Sequence, residues 1–316
     1  MKNINRTLEY RNSEWKNNSY IPKWVNIENV GLDQFFTKQD IAILYFEQLI
    51  NFLKKKGIKI KDCIFIEPSA GAGSFYNLLP KDSRIGLDIH PLSDEIILQD
   101  FLSWNLPDKY NKKIKVFIGN PPFGYRGWLA LSFMNKAANY ADYVGFILPM
   151  SFQSEGKGSP KYRVKNLKLI HSETIPKNSF VNPKGKIEKV NALWQIWEKG
   201  ENIKPKKYNL NEIIDIFTVD LRKERLCGKE KMDNADFFIQ RTFYNTPPTP
   251  VKDFNEVRYV CGYGIIIKKN KEKIYKILHN VDWTKYSNLA AHNCRHISMY
   301  HIEKVLIENK IIENEL

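Results

Sequence analysis

Residues 120–123 read Asn-Pro-Pro-Phe, which brings together an amide side chain, two rigid prolines and an aromatic ring. They follow residues 115–118, a short apolar run with the β-branched and aromatic content of a buried strand. The two prolines end this strand, because each fixes φ and lacks a backbone N–H. Open α/β sheets bind their ligands at the carboxyl ends of the strands, so we expect a ligand site here. Taken alone, the same four residues are equally well explained as a strand-terminating turn.

A second candidate site lies upstream, in the loop after a predicted strand at 63–67. Residues 68–73 are Pro-Ser-Ala-Gly-Ala-Gly, and such small side chains let backbone N–H groups approach a ligand closely. A dinucleotide-binding fingerprint has a third glycine three residues further on, where this chain has Tyr76. This departure disfavours a nicotinamide-dependent oxidoreductase and favours a small zwitterionic ligand.

Two carboxylates follow the next two predicted strands. Asp88 ends the strand at 84–88, and Asp100 comes directly after the strand at 96–99. An acid at the end of the second strand is well placed to accept hydrogen bonds from both ribose hydroxyls of an adenosine group. A helix N-cap or an ordinary loop aspartate is the alternative for Asp88.

The elements that must position these residues alternate between strand and helix through residues 40–175, which predicts a Rossmann-like α/β sheet, mostly parallel and doubly wound. Helices are expected at 41–53 and at 128–139, and a further helix is expected to start just after residue 73. The predicted strands are 63–67, 84–88, 96–99, 115–118, 143–148, 167–174 and 190–197.

The composition is that of a globular protein with a basic excess. Hydrophobic residues make up 43% and charged residues 27%, and no apolar run approaches the length of a membrane span. Four dispersed cysteines favour a reducing compartment, so we expect a protein of the cytoplasm, or of the host cytoplasm if it is viral. A change of composition near Gly200 predicts three parts: an N-terminal arm at 1–33, a catalytic domain at 34–200 and a further domain at 201–316.

The net charge of +14 fits a polyanionic partner, although solubility alone would also explain it. The excess is concentrated in residues 151–200, which hold ten Lys and Arg against four Glu. We expect the basic residues after the fifth strand to leave the same edge of the sheet as residue 120 and to neutralise nucleic-acid phosphates. A solvated lysine-rich face is an equally weighted alternative. The predicted contacts are Lys157, Lys161, Arg163, Lys165 and Lys168.

The segment at 292–296 could suggest a metal site, because it contains His292, Cys294 and His296. No matching cysteine pair lies near it in the sequence, and three neighbouring ligands are weak evidence for zinc. We therefore predict an ordinary loop and no metal.

Taken in this order, the motifs resemble those of the S-adenosylmethionine-dependent amino-methyltransferases. They are most similar to the N6-adenine DNA methyltransferases of restriction–modification systems, in the gamma arrangement of motifs. The likeness covers residues 34–200, whereas residues 201–316 match no pattern of their own. It implies a seven-stranded sheet whose last strand is antiparallel, followed by a C-terminal target-recognition domain at 201–316.

The resemblance also implies roles for individual residues. The Asn120 side-chain oxygen and the Pro121 carbonyl would accept hydrogen bonds from an adenine N6 amino group. Pro122 would keep the turn rigid, and Phe123 would stack on the flipped-out base. Phe180 stands where some family members place a second aromatic ring against that base. The residues implied to bind S-adenosylmethionine are Phe36, Thr37, Lys38, Glu67, Pro68, Ser69, Ala70, Gly71, Gly73, Asp88, Ile89, Asp100 and Phe101.

The implied partner is double-stranded DNA, and a cognate restriction endonuclease is left open. The same reaction on RNA is the alternative, and a protein-glutamine methyltransferase is less favoured, since its motif generally ends in tyrosine rather than Phe123. A C-terminal region of about 110 residues favours DNA, because base-specific readout needs a sizeable surface. A non-catalytic nucleic-acid-binding protein on a decayed fold is disfavoured by the intact Asn120 and Asp88.

Overall fold

The computed structural model describes residues 35–124, 127–156, 158–182, 184–222, 229–257, 259–291 and 293–311. The predicted arm at 1–33, together with Lys157 and His292, lies outside the described residues. The chain divides into two compact units. Unit 1 comprises Met1–Gln153 and Pro160–Ile203, and unit 2 comprises Ser154–Ser159 and Lys204–Leu316.

The core of unit 1 is a sheet whose strands match the apolar runs of the sequence closely. Three strands have the predicted bounds, and the others differ by one or two residues at an end. The strands of unit 1 are β1 (Phe36–Thr37), β2 (Cys63–Glu67), β3 (Arg84–Asp88), β4 (Ile97–Leu98), β5 (Ile114–Gly119), β6 (Tyr143–Pro149), β7 (Leu167–Thr174), β8 (Phe180–Val181), β9 (Ile187–Glu188) and β10 (Ala192–Lys199).

Seven of these strands form one sheet in the order β4-β3-β2-β5-β6-β10-β7. Neighbours from β4 to β6 pair in parallel, and β10 pairs antiparallel with β6 on one side and with β7 on the other. The sheet thus has one antiparallel strand among parallel ones. The prediction of a Rossmann-like, seven-stranded sheet, mostly parallel with one antiparallel strand, is confirmed.

Two α-helices of unit 1 are described, α1 (Gln39–Lys55) and α2 (Trp128–Ala137). Helix α1 buries one apolar face, and its Tyr45 ring stacks on Trp194 of β10 with a centroid distance of 4.9 Å. The helix expected after residue 73 is wrong, since residues Tyr76–Leu78 form a single 3₁₀ turn. Only six residues separate Gly73, at φ +84°, from Pro80, and both residues oppose helix continuation, so there is no room for several turns.

A small antiparallel sheet, β1-β8-β9, fixes the segment before α1. Thr37 pairs with Phe180, and Lys38 N donates to Ser179 O at 3.0 Å. The chain segment at 36–38 is therefore held by residues about 140 positions later, a contact that no local pattern in the sequence encodes.

Unit 2 has its own core, in which Trp283, Ile265 and Ile302 are fully buried. The strands of this unit are β11 (Ile214–Asp220), β12 (Phe237–Gln240), β13 (Thr242–Phe243), β14 (Cys261–Ile267), β15 (Asn288–Leu289) and β16 (Arg295–His296). Across the described residues, no helix has the length and apolar character needed to cross a membrane. The strands of unit 2 form two three-stranded sheets, in the orders β11-β14-β12 and β13-β16-β15, which pack with helices α3 (Lys271–Asn280) and α4 (Met299–Glu308).

Candidate active site

The carboxyl ends of β2, β3 and β5 open into one pocket of about 400 Å³ in unit 1. Parallel pairing aligns the three strand ends, since Ile66 lies opposite both Ile85 and Phe117. Most residues predicted to bind the cofactor or the target base meet at this pocket. Those that line it are Phe36, Thr37, Glu67, Pro68, Ser69, Ala70, Gly71, Asp88, Ile89, Asp100, Phe101, Asn120, Pro121, Pro122 and Phe123.

The loop after β2 curls into a tight cradle. Gly73 N donates to Ala70 O at 2.6 Å, and Gly71 adopts φ +50°. A Cβ atom added at Gly71 would lie 3.2 Å from the Phe36 ring and 4.0 Å from Asp88 Oδ2. Glycine is therefore required at this position both for its φ and for the close approach of Phe36.

Asp88 is fixed by the backbone of the same loops. Its Oδ2 accepts from Gly71 N at 2.7 Å and its Oδ1 accepts from His90 N at 2.8 Å. Burial raises the pKa of Asp88, although these two N–H donors partly oppose that rise. Each carboxylate oxygen has a further lone pair, so Asp88 can also accept hydrogen bonds from a ligand.

Glu67, at the end of β2, is more deeply buried than Asp88, with 2% of its surface exposed. Burial raises the pKa of Glu67 well above its ordinary value, and the negative charge of Asp88 adds to the rise. Within the described part of the chain, Glu67 Oε2 has no hydrogen-bond partner. A cationic group bound in the pocket would stabilise the ionised form of this carboxyl.

Asp100 lies near β4 and is 1% exposed, with Oδ1 accepting from Leu102 N at 2.9 Å. Lys136 of α2 is also buried, which lowers its pKa, while the negative charge of Asp100 partly restores it. The Phe101 ring packs against Phe133 with a centroid distance of 5.3 Å. Asp100, the third acid of the pocket, is thus close enough to Lys136 for their opposite charges to interact.

Asn120 is oriented by a hydrogen bond from outside its own strand. Its Nδ2 donates to Phe35 O at 3.0 Å, and this hydrogen bond fixes the position of Oδ1, the other polar atom of the amide. Among the described residues, this buried Oδ1 has no partner. An unpaired buried acceptor costs about 1–3 kcal/mol, so the amide is set to accept a hydrogen bond from a ligand.

Three buried side-chain oxygens of the pocket share this condition in the described residues: Thr37 Oγ1, Glu67 Oε2 and Asn120 Oδ1. All three can accept hydrogen bonds, and the Glu67 oxygen belongs to a carboxyl group. A ligand with an ammonium group, ribose hydroxyls and an amino group supplies the donors that such a pocket needs. The residues present therefore fit S-adenosylmethionine, which carries all three.

Some predicted residues lie outside the pocket lining. Lys38 forms an ion pair with Asp40 at 3.5 Å, and Gly73 closes the turn of the loop through its hydrogen bond to Ala70 O. Phe180 is fully buried in β8, where its ring packs against Phe35 at a centroid distance of 6.2 Å. Phe180 does not line the pocket, whereas Phe35 does, and the Phe35 carbonyl accepts a hydrogen bond from Asn120 Nδ2.

The basic residues do not share one position. Lys168 lies opposite Glu198, which pairs with Tyr143 at the start of β6, so Lys168 is at the amino end of the sheet. Lys161 Nζ, in contrast, lies 3.5 Å from the carbonyl of Gln153, just after the carboxyl end of β6.

The expectation that these basic residues leave the pocket edge together is wrong for Lys168. The chain must cross from the carboxyl end of β6 to the amino end of β7 to make two parallel strands, and the basic segment makes that crossing. Lys165 N donates to Asn135 Oδ1 in the last turns of α2, which places Lys165 partway along the crossing.

Several residues that line the pocket were not predicted from the sequence. Phe35, His90 and Gln99 each adjoin or closely follow a predicted site residue, so proximity in sequence was the available signal. Leu129 and Phe133 lie one turn apart on α2, and their spacing indicated only a helix face packed on a sheet.

No protein-family model matches the chain, and no curated protein matches it in sequence. Among solved structures, a suggested RNA methyltransferase of Pyrococcus horikoshii is 17% identical, with a TM-score of 0.38, over 53% of this chain and 88% of that chain. Magnesium protoporphyrin IX methyltransferase of Synechocystis PCC 6803, solved with bound S-adenosylmethionine, is 10% identical, with a TM-score of 0.35, over 61% and 97%.

A type IIL restriction–modification enzyme, MmeI, solved in complex with DNA, is 10% identical, with a TM-score of 0.38. The similarity extends over 88% of this chain and 53% of that chain, so the protein spans about half the length of that enzyme. The solved structures that are similar to this chain thus include methyltransferases with different substrates.

Proposed function

We propose that this protein transfers a methyl group from S-adenosylmethionine to N6 of an adenine in double-stranded DNA. The observation that carries the proposal is the Asn120 amide, whose donor end is bound to Phe35 O and whose buried oxygen is left for a ligand. The target base has to leave the duplex to reach such a pocket, so the reaction includes base flipping.

The chain's contribution to the chemistry is to orient and polarise the amino group. The N6 lone pair is delocalised into the adenine ring, which makes N6 a poor nucleophile. Hydrogen bonds from its two N–H groups to Asn120 Oδ1 and to the Pro121 carbonyl favour a more tetrahedral, electron-rich nitrogen. Because Pro121 and Pro122 restrict the backbone, the carbonyl keeps its direction before the base arrives. S-adenosylmethionine supplies an electrophilic methyl group when it is bound.

The cofactor residues are proposed from the donors and acceptors of the pocket. Asp88 binds ribose hydroxyls with the lone pairs left by its two backbone contacts. The buried carboxyl of Glu67 attracts the ammonium group of the methionine end, and Asp100 accepts from the adenine amino group. Phe36 covers the ligand, since its ring already lies against the Gly71 cradle.

We assign sequence specificity to unit 2, because it is a compact unit of its own and base-specific readout needs a sizeable surface. Methylation of adenine at a defined sequence is also what a cognate restriction endonuclease requires to spare the DNA of its own cell. RNA is the alternative substrate, and the experiment below separates the two.

The direct test is to express the protein in a host that lacks DNA methylation and to sequence the host DNA with detection of modified adenines. We expect N6-methyladenine at one short sequence. In parallel, purified protein with labelled S-adenosylmethionine should transfer label to duplex DNA and not to total RNA or protein. Labelling of RNA alone would replace DNA as the substrate, and no label in any fraction would refute the proposal.

A further inference from the structure

Asn120 is contacted by two segments that lie far from it in sequence. Besides the side-chain hydrogen bond to Phe35, its backbone carbonyl accepts a hydrogen bond from Ser69 Oγ at 3.2 Å. Ser69 belongs to the loop after β2, and the sequence assigned it to the cofactor. In the structure its hydroxyl is directed instead to the residue that would bind the target base.

We propose that Ser69 and the Phe35 carbonyl are positioning groups that together set the two hydrogen-bond acceptors presented to the target amino group. This inference rests on the proposed function. It changes the role of Ser69 from a cofactor ligand to a link between the cofactor loop and the base-binding turn.

The two strand ends are close enough for this link to be rigid. Ile66 of β2 pairs with Phe117 of β5, so Ser69 and Asn120 each follow their paired residue by three positions. Gly119 adopts φ +150°, and a Cβ atom there would lie 3.1 Å from Glu67 Cγ. The backbone before Asn120 thus packs tightly on the end of β2, and the Ser69 hydrogen bond continues that contact.

The Ser69 hydrogen bond fixes the plane of one peptide group, and that plane sets the direction of the next carbonyl, that of Pro121. It holds the oxygen of the Asn120–Pro121 amide, and the Pro121 ring then fixes the next φ angle. Because Pro122 follows, Pro121 is also restricted to an extended ψ. The direction of the Pro121 carbonyl therefore follows from the plane that Ser69 holds.

The Phe35 carbonyl determines which end of the Asn120 amide faces the pocket. If the amide turned over, Oδ1 would face the Phe35 oxygen, and two acceptors would be opposed. Since Phe35 directly precedes β1, the small sheet that contains β1 and β8 supports this carbonyl. Orientation of the amide is in this way a property of the tertiary structure, although the amide itself belongs to the motif.

The first test compares Ser69→Ala with Ser69→Thr, which retains the hydroxyl, and with Ser83→Ala as a control serine outside the pocket. We expect Ser69→Ala to lower kcat about tenfold, with the Kd for S-adenosylmethionine unchanged by calorimetry, and Ser69→Thr to recover most of kcat. A weaker Kd with an unchanged kcat would overturn the inference, because it would make Ser69 a cofactor ligand.

A readout independent of activity is the side-chain amide resonance of Asn120 in protein labelled at asparagine. We expect it to shift or broaden in Ser69→Ala and to stay unchanged in Ser83→Ala. If the wild-type protein methylated no adenine, the proposed function would fail, and this resonance would still show whether Ser69 positions Asn120. An unchanged resonance in Ser69→Ala would refute the role of Ser69.

The second test is Asn120→Asp, which keeps an acceptor but loses the donor to Phe35 O. We expect kcat to fall more than about tenfold at neutral pH and to rise as the pH is lowered, because a protonated carboxyl can donate to Phe35 O again. The wild-type pH profile is the control, since both proteins share the other titratable groups of the pocket. Wild-type activity in this variant would refute the role of Phe35. The shared groups are Glu67, Asp88, His90 and Asp100.

Discussion

Three polar groups of the unit 1 pocket and a set of polar groups in unit 2 differ in their hydrogen bonding. In unit 1, three oxygens without partners among the described residues converge on one pocket. In unit 2, both carboxylate oxygens of Glu155 accept hydrogen bonds from Lys304 Nζ, at 3.0 and 2.9 Å. The Tyr263 hydroxyl donates to Ile297 O at 3.2 Å. His301, whose pKa burial lowers to about 4, accepts from Ser298 N at 3.0 Å.

Unsatisfied buried acceptors reduce the stability of a fold unless a ligand pairs with them. Three such acceptors meet in the unit 1 pocket, which indicates a site prepared for the donors of a ligand, whereas the hydrogen-bonded groups of unit 2 named above stabilise its own fold. The comparison predicts that substitutions in the unit 1 pocket change ligand affinity and activity more than stability, and that substitutions of the paired groups in unit 2 do the reverse.

Asn120→Ala is expected to have the largest effect on activity. It removes the acceptor held for the amino group, so kcat should fall roughly 10²- to 10³-fold, while S-adenosylmethionine affinity stays within about twofold. Methyl transfer to duplex DNA and calorimetric titration of the cofactor measure the two quantities. Retention of full activity would remove Asn120 from the mechanism.

Asp88→Asn is expected to reduce cofactor affinity about a hundredfold. The amide can accept one of the two backbone N–H groups, from Gly71 or from His90, but presents an N–H to the other. Titration of S-adenosylmethionine measures the loss, with the exposed Asp94→Asn as the matched control. Equal affinities for the two variants would contradict the assignment of Asp88.

Glu67→Gln should raise the free energy of unfolding without ligand by about 1 kcal/mol near pH 8. In the folded protein the pKa of Glu67 lies above its ordinary value of 4.5. At a pH between 4.5 and the pKa of the folded state, Glu67 is therefore protonated in the folded protein but ionised in the unfolded chain. Stability therefore falls as the pH rises through that window and stays lower above it.

The variant has no such titration, so urea unfolding followed from about pH 5 to about pH 8 should show a flatter dependence than the wild type. Cofactor affinity should fall in the same variant, because the amide does not attract an ammonium group. Parallel pH profiles for the two proteins would show that Glu67 is not a source of strain.

Glu155→Gln tests the paired groups of unit 2. Loss of the ion pair with Lys304 should lower the free energy of unfolding by about 1 kcal/mol and leave S-adenosylmethionine affinity unchanged. Thermal unfolding and calorimetry measure the two effects. A change in cofactor affinity would break the comparison between the units.

The smallest effects are expected from the basic residues, where Lys161→Ala and Lys168→Ala form a matched pair. Lys161 lies beside the carboxyl end of β6. Its loss should weaken DNA binding about twofold to threefold and reduce the slope of log K against log salt concentration by about one. Lys168→Ala should leave binding unchanged, because Lys168 lies at the opposite end of the sheet. Equal losses would indicate a DNA surface that extends over both ends.

Much of the fold could be predicted because its signals are local. The apolar runs at 63–67, 84–88 and 167–174 became strands with those bounds, and the turn residues after β2 and β5 mark the strand ends. Parallel strands place their carboxyl ends at one edge, so the convergence of Asp88, Asp100 and Asn120 follows from their positions in sequence. The missing helix after Gly73 shows the limit of an alternating pattern when the connection is short.

The sequence by itself therefore determined most of the residues that come to the pocket, since the end of a strand is a local property. Tertiary structure alone decided which partners hold Asn120 there. The partner of the Asn120 amide is a backbone carbonyl 85 positions away, and the partner of its carbonyl is a serine 51 positions away. Backbone carbonyls are present at every residue and carry no sequence signal, so only the packing of β1, β2 and β5 selects the one that orients the amide.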